Sequence, residues 1–390
     1  MARSKDTADA ASATIIPAPR VNPDLIGHAA AEARLKGAFT SGKLAHAWLI
    51  CGPRGIGKAT LAYRFARYVL AQSGHGPGAP PAAEPSLFGP APAPKNGGGA
   101  GEGGGLYLDP DHPVFRRVAA GGHADLFTVE RAFDEKKGTR RGEIVVDDMR
   151  GVGGFLSLTA AEGGWRVVVV DSADEMNRSA ANAILKVLEE PPKRALLLLV
   201  SHNPGALLPT IRSRCQRLVL NRLSDTEVAG ILGRLNPDLS PAETHAIAHL
   251  AEGSVGRAID LADEDGLALH REMSQLLGAL PDLDGALLHR FAEKAARGGA
   301  DGTFRIACEI MGRWLARLVV AAATRMVDPA GVTEPEAAQL ARLARMADAG
   351  RWLDARDKIE GLFERTEAVN LDRKSALLDA FFVLSAAARA

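Results

Sequence analysis

Residues 46–62 read HAWLICGPRGIGKATLA. The apolar run HAWLICG ends in Gly52, the form of a strand feeding a loop. The following KATLAYRFARYVLA places Leu61, Phe65 and Tyr68/Val69 on one helical face. Strand, glycine loop and helix in that order are the setting a phosphate-binding loop needs. The spacing fits G-x-x-x-x-G-K-[S/T], with Gly52, Gly57 and Lys58 in place and Arg54 and Gly55 between them. Backbone N–H groups at a helix N-terminus favour phosphate, and Lys58 adds a point charge. The next position should carry a hydroxyl that ligates Mg²⁺, and it is Ala59. Thr60 does not replace it simply, since one residue is about 100° around a helix.

Three more apolar runs follow: DLFTVE, RVVVVD and ALLLLVS. The last two are continuously apolar, as in buried parallel strands. Between them, NRSAANAILKVLEE puts Ala181, Ile184, Leu185 and Leu188 at helical spacing. Asn177 or Ser179 is the expected cap, and Pro191-Pro192 the stop. Strands alternating with helices predict a doubly wound α/β domain. RVVVVDSADEM also has the shape of a strand delivering an acid, Asp171, towards Mg²⁺. The position after that acid is Ser172, which cannot serve as a base for an attacking water.

The chain has 390 residues, enough for two or three domains. Lys+Arg and Asp+Glu are 47 each, so the chain as a whole lacks the basic excess of a protein that coats nucleic acid. Its three cysteines, Cys51, Cys215 and Cys308, form no C-x-x-C pair, which fits a reducing cytoplasm and no disulfide framework. No run approaches the ~20 apolar residues of a membrane helix. Residues 1–20 read as a loose tail without a signal-peptide core. Residues 71–105 hold 11 Gly and 7 Pro among 35 and read as a disordered insertion. Beyond about Asn221 the pattern turns helical: LSDTEVAGILGRL, SPAETHAIAHLAEG and VGRAIDLAD, then helical periodicity to the end. Asn370 is the expected cap of a last helix that carries Leu377, Leu378, Phe381 and Leu384 inward.

The run LLLLVSHNPGALLPTIRSRCQRL ends a strand at Ser201, His202 and Asn203, then sets Arg212 and Arg214 beside Cys215. Taken together, HAWLICGPRGIGKATLA, VVVVDSADEMN, NAILKVLEEPP and LLPTIRSRCQRL resemble the clamp-loader branch of the AAA+ proteins. The resemblance covers about residues 21–265 by motif, and NLDRKSALLDAFF in the C-terminal part. It implies a P-loop α/β domain with a parallel sheet over 21–222, a small helical lid over 223–268 and an all-α collar over 269–390. It implies a place among other subunits, of gamma/tau and delta type, in a five-membered ring of a bacterial replicative DNA polymerase. That ring acts on a sliding clamp and primed DNA, in the cytoplasm and not at a membrane. Gly52, Arg54, Gly55, Gly57, Lys58, Ala59, Thr60 and Asp171 then form the ATP cradle. Arg214 is the arginine that reaches a neighbouring subunit's ATP. The departures are Ala59, Ser172 and Gly256, the last standing where the lid arginine of motor subunits belongs, with Arg257 one step on. The Gly/Pro insertion takes the place of a four-Cys module, so no zinc is expected. Three altered catalytic parts beside a preserved Arg214 predict a subunit that holds ATP at most and does not hydrolyse it. The alternative is an active gamma-type ATPase, which needs a hydroxyl at 59 and Glu at 172. A free-standing nucleotide switch would need neither the Ser-Arg-Cys run nor a collar.

Overall fold

The computed structural model describes residues 17–72, 105–134, 139–263, 266–297 and 302–389. It divides into two compact units that part between Leu223 and Ser224.

The first unit contains α1 (Ala29–Thr40), β1 (Ala47–Cys51), α2 (Lys58–Gln72), α3 (Pro113–Ala119) and β2 (Leu126–Val129). The two-residue strands β3 (Phe133–Asp134) and β4 (Thr139–Arg140) pair with each other. Then come α4 (Val146–Ser157), β5 (Arg166–Val170), α5 (Arg178–Glu189), β6 (Ala195–Ser201), α6 (Pro209–Arg212) and β7 (Gln216–Val219). The main sheet is parallel throughout, in the order β2-β5-β6-β1-β7. The continuous apolar runs are explained by two covered faces. Val167, Val169, Leu196 and Leu198 point to one core, with Leu61, Phe65 and Val69 of α2. Val168, Val170, Leu197 and Leu199 point to the other, with Met149, Ile184 and Leu188 of α4 and α5. Alternate residues of each strand thus serve opposite layers. Asn177 caps α5, its side chain accepting from Ala180 N–H.

Residues 17–20, expected to belong to a loose tail, form a turn in which Val21 N–H donates to Ala18. The carbonyls of Arg20 and Asn22 accept from the buried Arg67 guanidinium at 3.0 and 2.8 Å. Residues 1–16 lie outside the described residues. So does most of the expected insertion, 73–104. Its first two residues, Ala71 and Gln72, complete α2. Gly105 has φ 105°, and a Cβ there would lie 2.4 Å from Glu32 Oε2.

The second unit is helical among the described residues. It comprises α7 (Asp225–Leu235), α8 (Pro241–Leu250), α9 (Val255–Asp263), α10 (Gly266–Gly278), α11 (Gly285–Arg297), α12 (Gly302–Thr324), α13 (Glu334–Leu343), α14 (Ala349–Val369) and α15 (Arg373–Arg389). Ser224/Glu227, Ser240/Glu243 and Thr333/Glu336 start α7, α8 and α13 as reciprocal capping boxes. The expected boundary at 268/269 falls inside α10. Asn370 does not start the last helix. It ends α14 with φ 56°, the left-handed cap that asparagine tolerates. Asp372 takes the starting role instead, accepting from Ser375 N–H at 2.8 Å. Leu377, Phe381 and Leu384 are buried, while Leu378 is half-buried.

Candidate functional site

The glycine loop joins the end of β1 to the start of α2. Gly52 has φ 149°, and a Cβ would lie 2.7 Å from the Leu220 carbonyl just past β7. Gly57 has φ 97°, with Leu25 Cδ1 3.1 Å from any Cβ. Both positions therefore need glycine, one for close backbone approach and one for the bend into the helix. His28 braces the loop from outside, Nε2 lying 2.6 Å from the Ile56 carbonyl. Arg54 is exposed on the loop and Gly55 has φ 76°. Lys58 is buried, and its ammonium donates to the Pro53 carbonyl of its own loop. Burial pushes the Lys58 pKa down to about 8, against the opposing charges of Asp174 and Asp171. Ala59 is half-buried, and Thr60 is turned into the interior at 8% exposure. The threonine hydroxyl therefore does not take the place of the ligand missing at 59.

Asp171 follows β5, its N–H donating to the Val129 carbonyl at 2.9 Å. Ser172 adopts φ 60°, and its Oγ lies 3.2 Å from His202 Nε2. Sequence reasoning passed over two residues that organise this corner. Asp174 accepts from the N–H groups of His202 and Asn203 at 3.0 and 2.9 Å, tying the exit of β5 to the exit of β6. Burial would raise the Asp174 pKa, but these backbone donors outweigh it and hold the pKa below the usual carboxylate range. Burial, with the Lys58 charge next, pushes His202 down to about 4, so its ring is neutral at pH 7. Asp174 was readable only as the next acid after Asp171, and His202 only as a strand end, because their link joins the exits of two different strands.

Arg214 is placed elsewhere. The register pairs Trp48 with Gln216 and Cys51 with Val219. Arg214 precedes Gln216, so it sits beyond the start of β1, while the glycine loop leaves the other end. The two ends are about 13 Å apart along the strand, more than an arginine side chain spans. Arg214 Nη2 pairs with Glu189 Oε1 at 2.8 Å, and Nη1 donates to the Thr210 carbonyl at 3.0 Å. The structure thus gathers Gly52, Arg54, Gly55, Gly57, Lys58, Ala59 and Asp171 around one end of the sheet, buries Thr60 beneath, and sets Arg214 at the opposite end.

Within the helical unit, Arg257 is drawn into an ion-pair cluster. Glu252 Oε1 lies 2.7 Å from Arg317 Nη2, 3.2 Å from Arg313 Nη1 and 3.5 Å from Arg257 Nη1. Glu309 Oε1 adds contacts at 3.1 Å to Arg313 and 4.0 Å to Arg257. Burial, then the Arg313 charge, lowers the Arg257 pKa to about 10. The arginine one step after Gly256 is therefore engaged within its own unit.

Among the described residues no helix is long and apolar enough to cross a membrane. A family model described as DNA polymerase III, delta subunit, matches residues 110–224. The DNA polymerase III subunit delta' of Pseudomonas aeruginosa is 35% identical over 239 residues, 61% of this chain and 61% of that one. The Escherichia coli subunit delta' is 30% identical over 244 residues, 63% of this chain and 62% of that one. The Escherichia coli subunit tau is 26% identical over 68% of this chain and 36% of its own length. The chain therefore spans about three fifths of the delta' relatives named here. A gamma subunit-related protein of Thermotoga maritima matches at TM-score 0.31 and 23% identity, over 68% of this chain and 84% of that one, too distant a fit to add to the fold seen directly. Over about three fifths of its length the chain is therefore similar to the delta' subunits of bacterial DNA polymerase III, and residues 110–224 carry the match to the delta-subunit family.

Proposed function

We propose that the chain is a delta'-type clamp-loader subunit of a bacterial DNA polymerase III holoenzyme. In this reading it joins gamma/tau and delta subunits in a five-membered ring that places the sliding clamp on primed DNA, in the cytoplasm. It lends Arg214 to a neighbour's ATP and does not hydrolyse ATP itself. One observation supports the reading: Arg214 lies at the sheet end opposite its own glycine loop, half-exposed, so its guanidinium is out of reach of that loop and open to a ligand from outside the chain. A planar, permanently charged fork suits the terminal phosphate of ATP.

The chain's own cradle keeps Lys58 and Asp171 but lacks two parts of a working ATPase. Ala59 offers no metal ligand, and Ser172 offers no base. ATP is accordingly a ligand at most, held by the loop backbone and Lys58 while Asp171 faces the metal. The expectation of no zinc concerns a stretch outside the described residues and stands as part of this proposal. The preserved cradle favours a second reading, a gamma-type ATPase.

The two readings separate in a reconstituted complex. Arg214→Ala lowers clamp-dependent ATP turnover and clamp loading on primed DNA, and Arg214→Lys rescues poorly because a point charge lacks the fork. Lys58→Ala is much milder. One finger in cis or trans is worth about 10³ to 10⁵ in phosphoryl-transfer systems, so loss at one of several sites gives a partial drop. Normal loading by Arg214→Ala with failure of Lys58→Ala would reverse the roles and favour the active ATPase.

A further inference from the structure

Arg214 is not alone at its end of the sheet. Its Nη2 meets Glu189 Oε1 at 2.8 Å, and its Nη1 meets the Thr210 carbonyl at 3.0 Å. Glu189 is the last residue of α5, and Glu190 caps that helix. Two carboxylates thus stand where the helix dipole disfavours negative charge, with Lys186 the basic residue of that turn. The pair is also open to solvent, with side chains 35% and 48% exposed, so it adds little to folding. Fold stability alone gives Glu189 no reason to be acidic.

We infer that Glu189 is a positioning residue for the trans-acting Arg214: it anchors one side of the guanidinium so that the remaining donors face the terminal phosphate of a nucleoside triphosphate on a neighbouring subunit. This rests on the reading of Arg214 given above. A guanidinium carries five N–H donors, and the two recorded contacts use one each. Three remain for phosphate oxygens. An untethered arginine must give up its rotamer freedom as the subunits dock, whereas one already held does not. The anchoring acid and the finger come from separate elements, α5 and the turn after α6, so the geometry depends on the fold and not on local sequence.

The test uses the full chain assembled with its partner subunits, reading kcat and KM of clamp-dependent ATP turnover. Glu189→Ala is expected to lower kcat by about two- to tenfold while KM for ATP and the melting temperature of the free chain hold. Glu189→Gln, which keeps an acceptor oxygen, recovers part of the loss. The double variant Glu189→Ala/Arg214→Ala matches Arg214→Ala alone, because Glu189 acts only through that arginine. Turnover at or above the wild-type level in Glu189→Ala overturns the inference. So does a double variant slower than Arg214→Ala, or a kcat loss that follows a lowered melting temperature. If Arg214→Ala itself turns over normally, the reading of Arg214 fails and this inference with it. A slow Arg214→Ala beside a normal Glu189→Ala removes the role of Glu189 alone.

Discussion

Replacing Glu252 by Gln removes one buried charge and keeps the side chain's shape. Glu252 is 9% exposed in its side chain and faces three guanidiniums at 2.7, 3.2 and 3.5 Å. At an effective dielectric of about 20, each attraction is about 5–6 kcal/mol before desolvation is counted. Most of that is offset by the cost of taking the charges out of water. Arg313 keeps Glu309 at 3.1 Å, and Arg317 keeps the carbonyls of Gly331 and Ala330 at 2.9 and 2.7 Å. Arg257 depends most on Glu252: it is 7% accessible, and its other carboxylate, Glu309, lies 4.0 Å away. Breaking a buried pair from one side costs about 3–5 kcal/mol, and the surviving contacts place the expected loss near 3. For a unit of this size that lowers its transition by about 6–12 °C. Calorimetry of the full chain measures the shift, and amide hydrogen exchange at α9 and α12 assigns it to the helical unit. Glu309→Gln, with its weaker hold on Arg257, moves the same transition less. A shift under about 2 °C, or unchanged exchange in α9 and α12, would show that Glu252 does not bind these helices together.

Two further outcomes follow from the corner between β5 and β6. Asp174→Asn weakens two charge-assisted bonds and lowers stability at pH 7 by roughly 1–2 kcal/mol. Because the folded Asp174 pKa lies below its ordinary 3.8, its contribution is full above that value and disappears as pH falls through the folded pKa. Urea midpoints of wild type and variant therefore differ at pH 7 and draw together as the pH falls below 3.8 through the folded pKa; a gap that stays constant down the whole acid range counts against the role of the carboxylate. Lys58→Met removes a buried cation whose pKa is lowered to about 8, so it raises the stability of the ligand-free chain at pH 7 by on the order of 1–2 kcal/mol. The unfolded chain binds the extra proton between about pH 8 and 10.5, so wild-type stability rises across that window and the advantage of the variant shrinks. A variant less stable than wild type at pH 7 would mean that the contact to Pro53 outweighs the burial cost.

Local chemistry made much of this protein legible without coordinates. Apolar runs in RVVVVD and ALLLLVS specified doubly covered parallel strands, since only such strands bury every residue. Gly52 and Gly57 marked a loop whose backbone angles exclude side chains, and Ala59 and Ser172 marked missing hydroxyl and carboxylate chemistry. Capping sequences and proline stops set helix ends, because a helix terminus satisfies its donors from residues next to it. At Asn370 the local reading went the wrong way: asparagine suits a helix start and a left-handed helix end alike, and the residue expected to begin the last helix ends the one before it. The remainder depended on distances between residues far apart in the chain. Asp174 meets His202, Glu189 meets Arg214 and Glu252 meets Arg257, Arg313 and Arg317 only once strands and helices have packed. Charge–charge and hydrogen-bond energies fall away within a few ångströms, and no spacing along a sequence encodes that proximity. The sequence by itself determined which groups the protein has, while the tertiary structure decided which of them face the glycine loop, which neutralise one another, and which are left at the far end of the sheet.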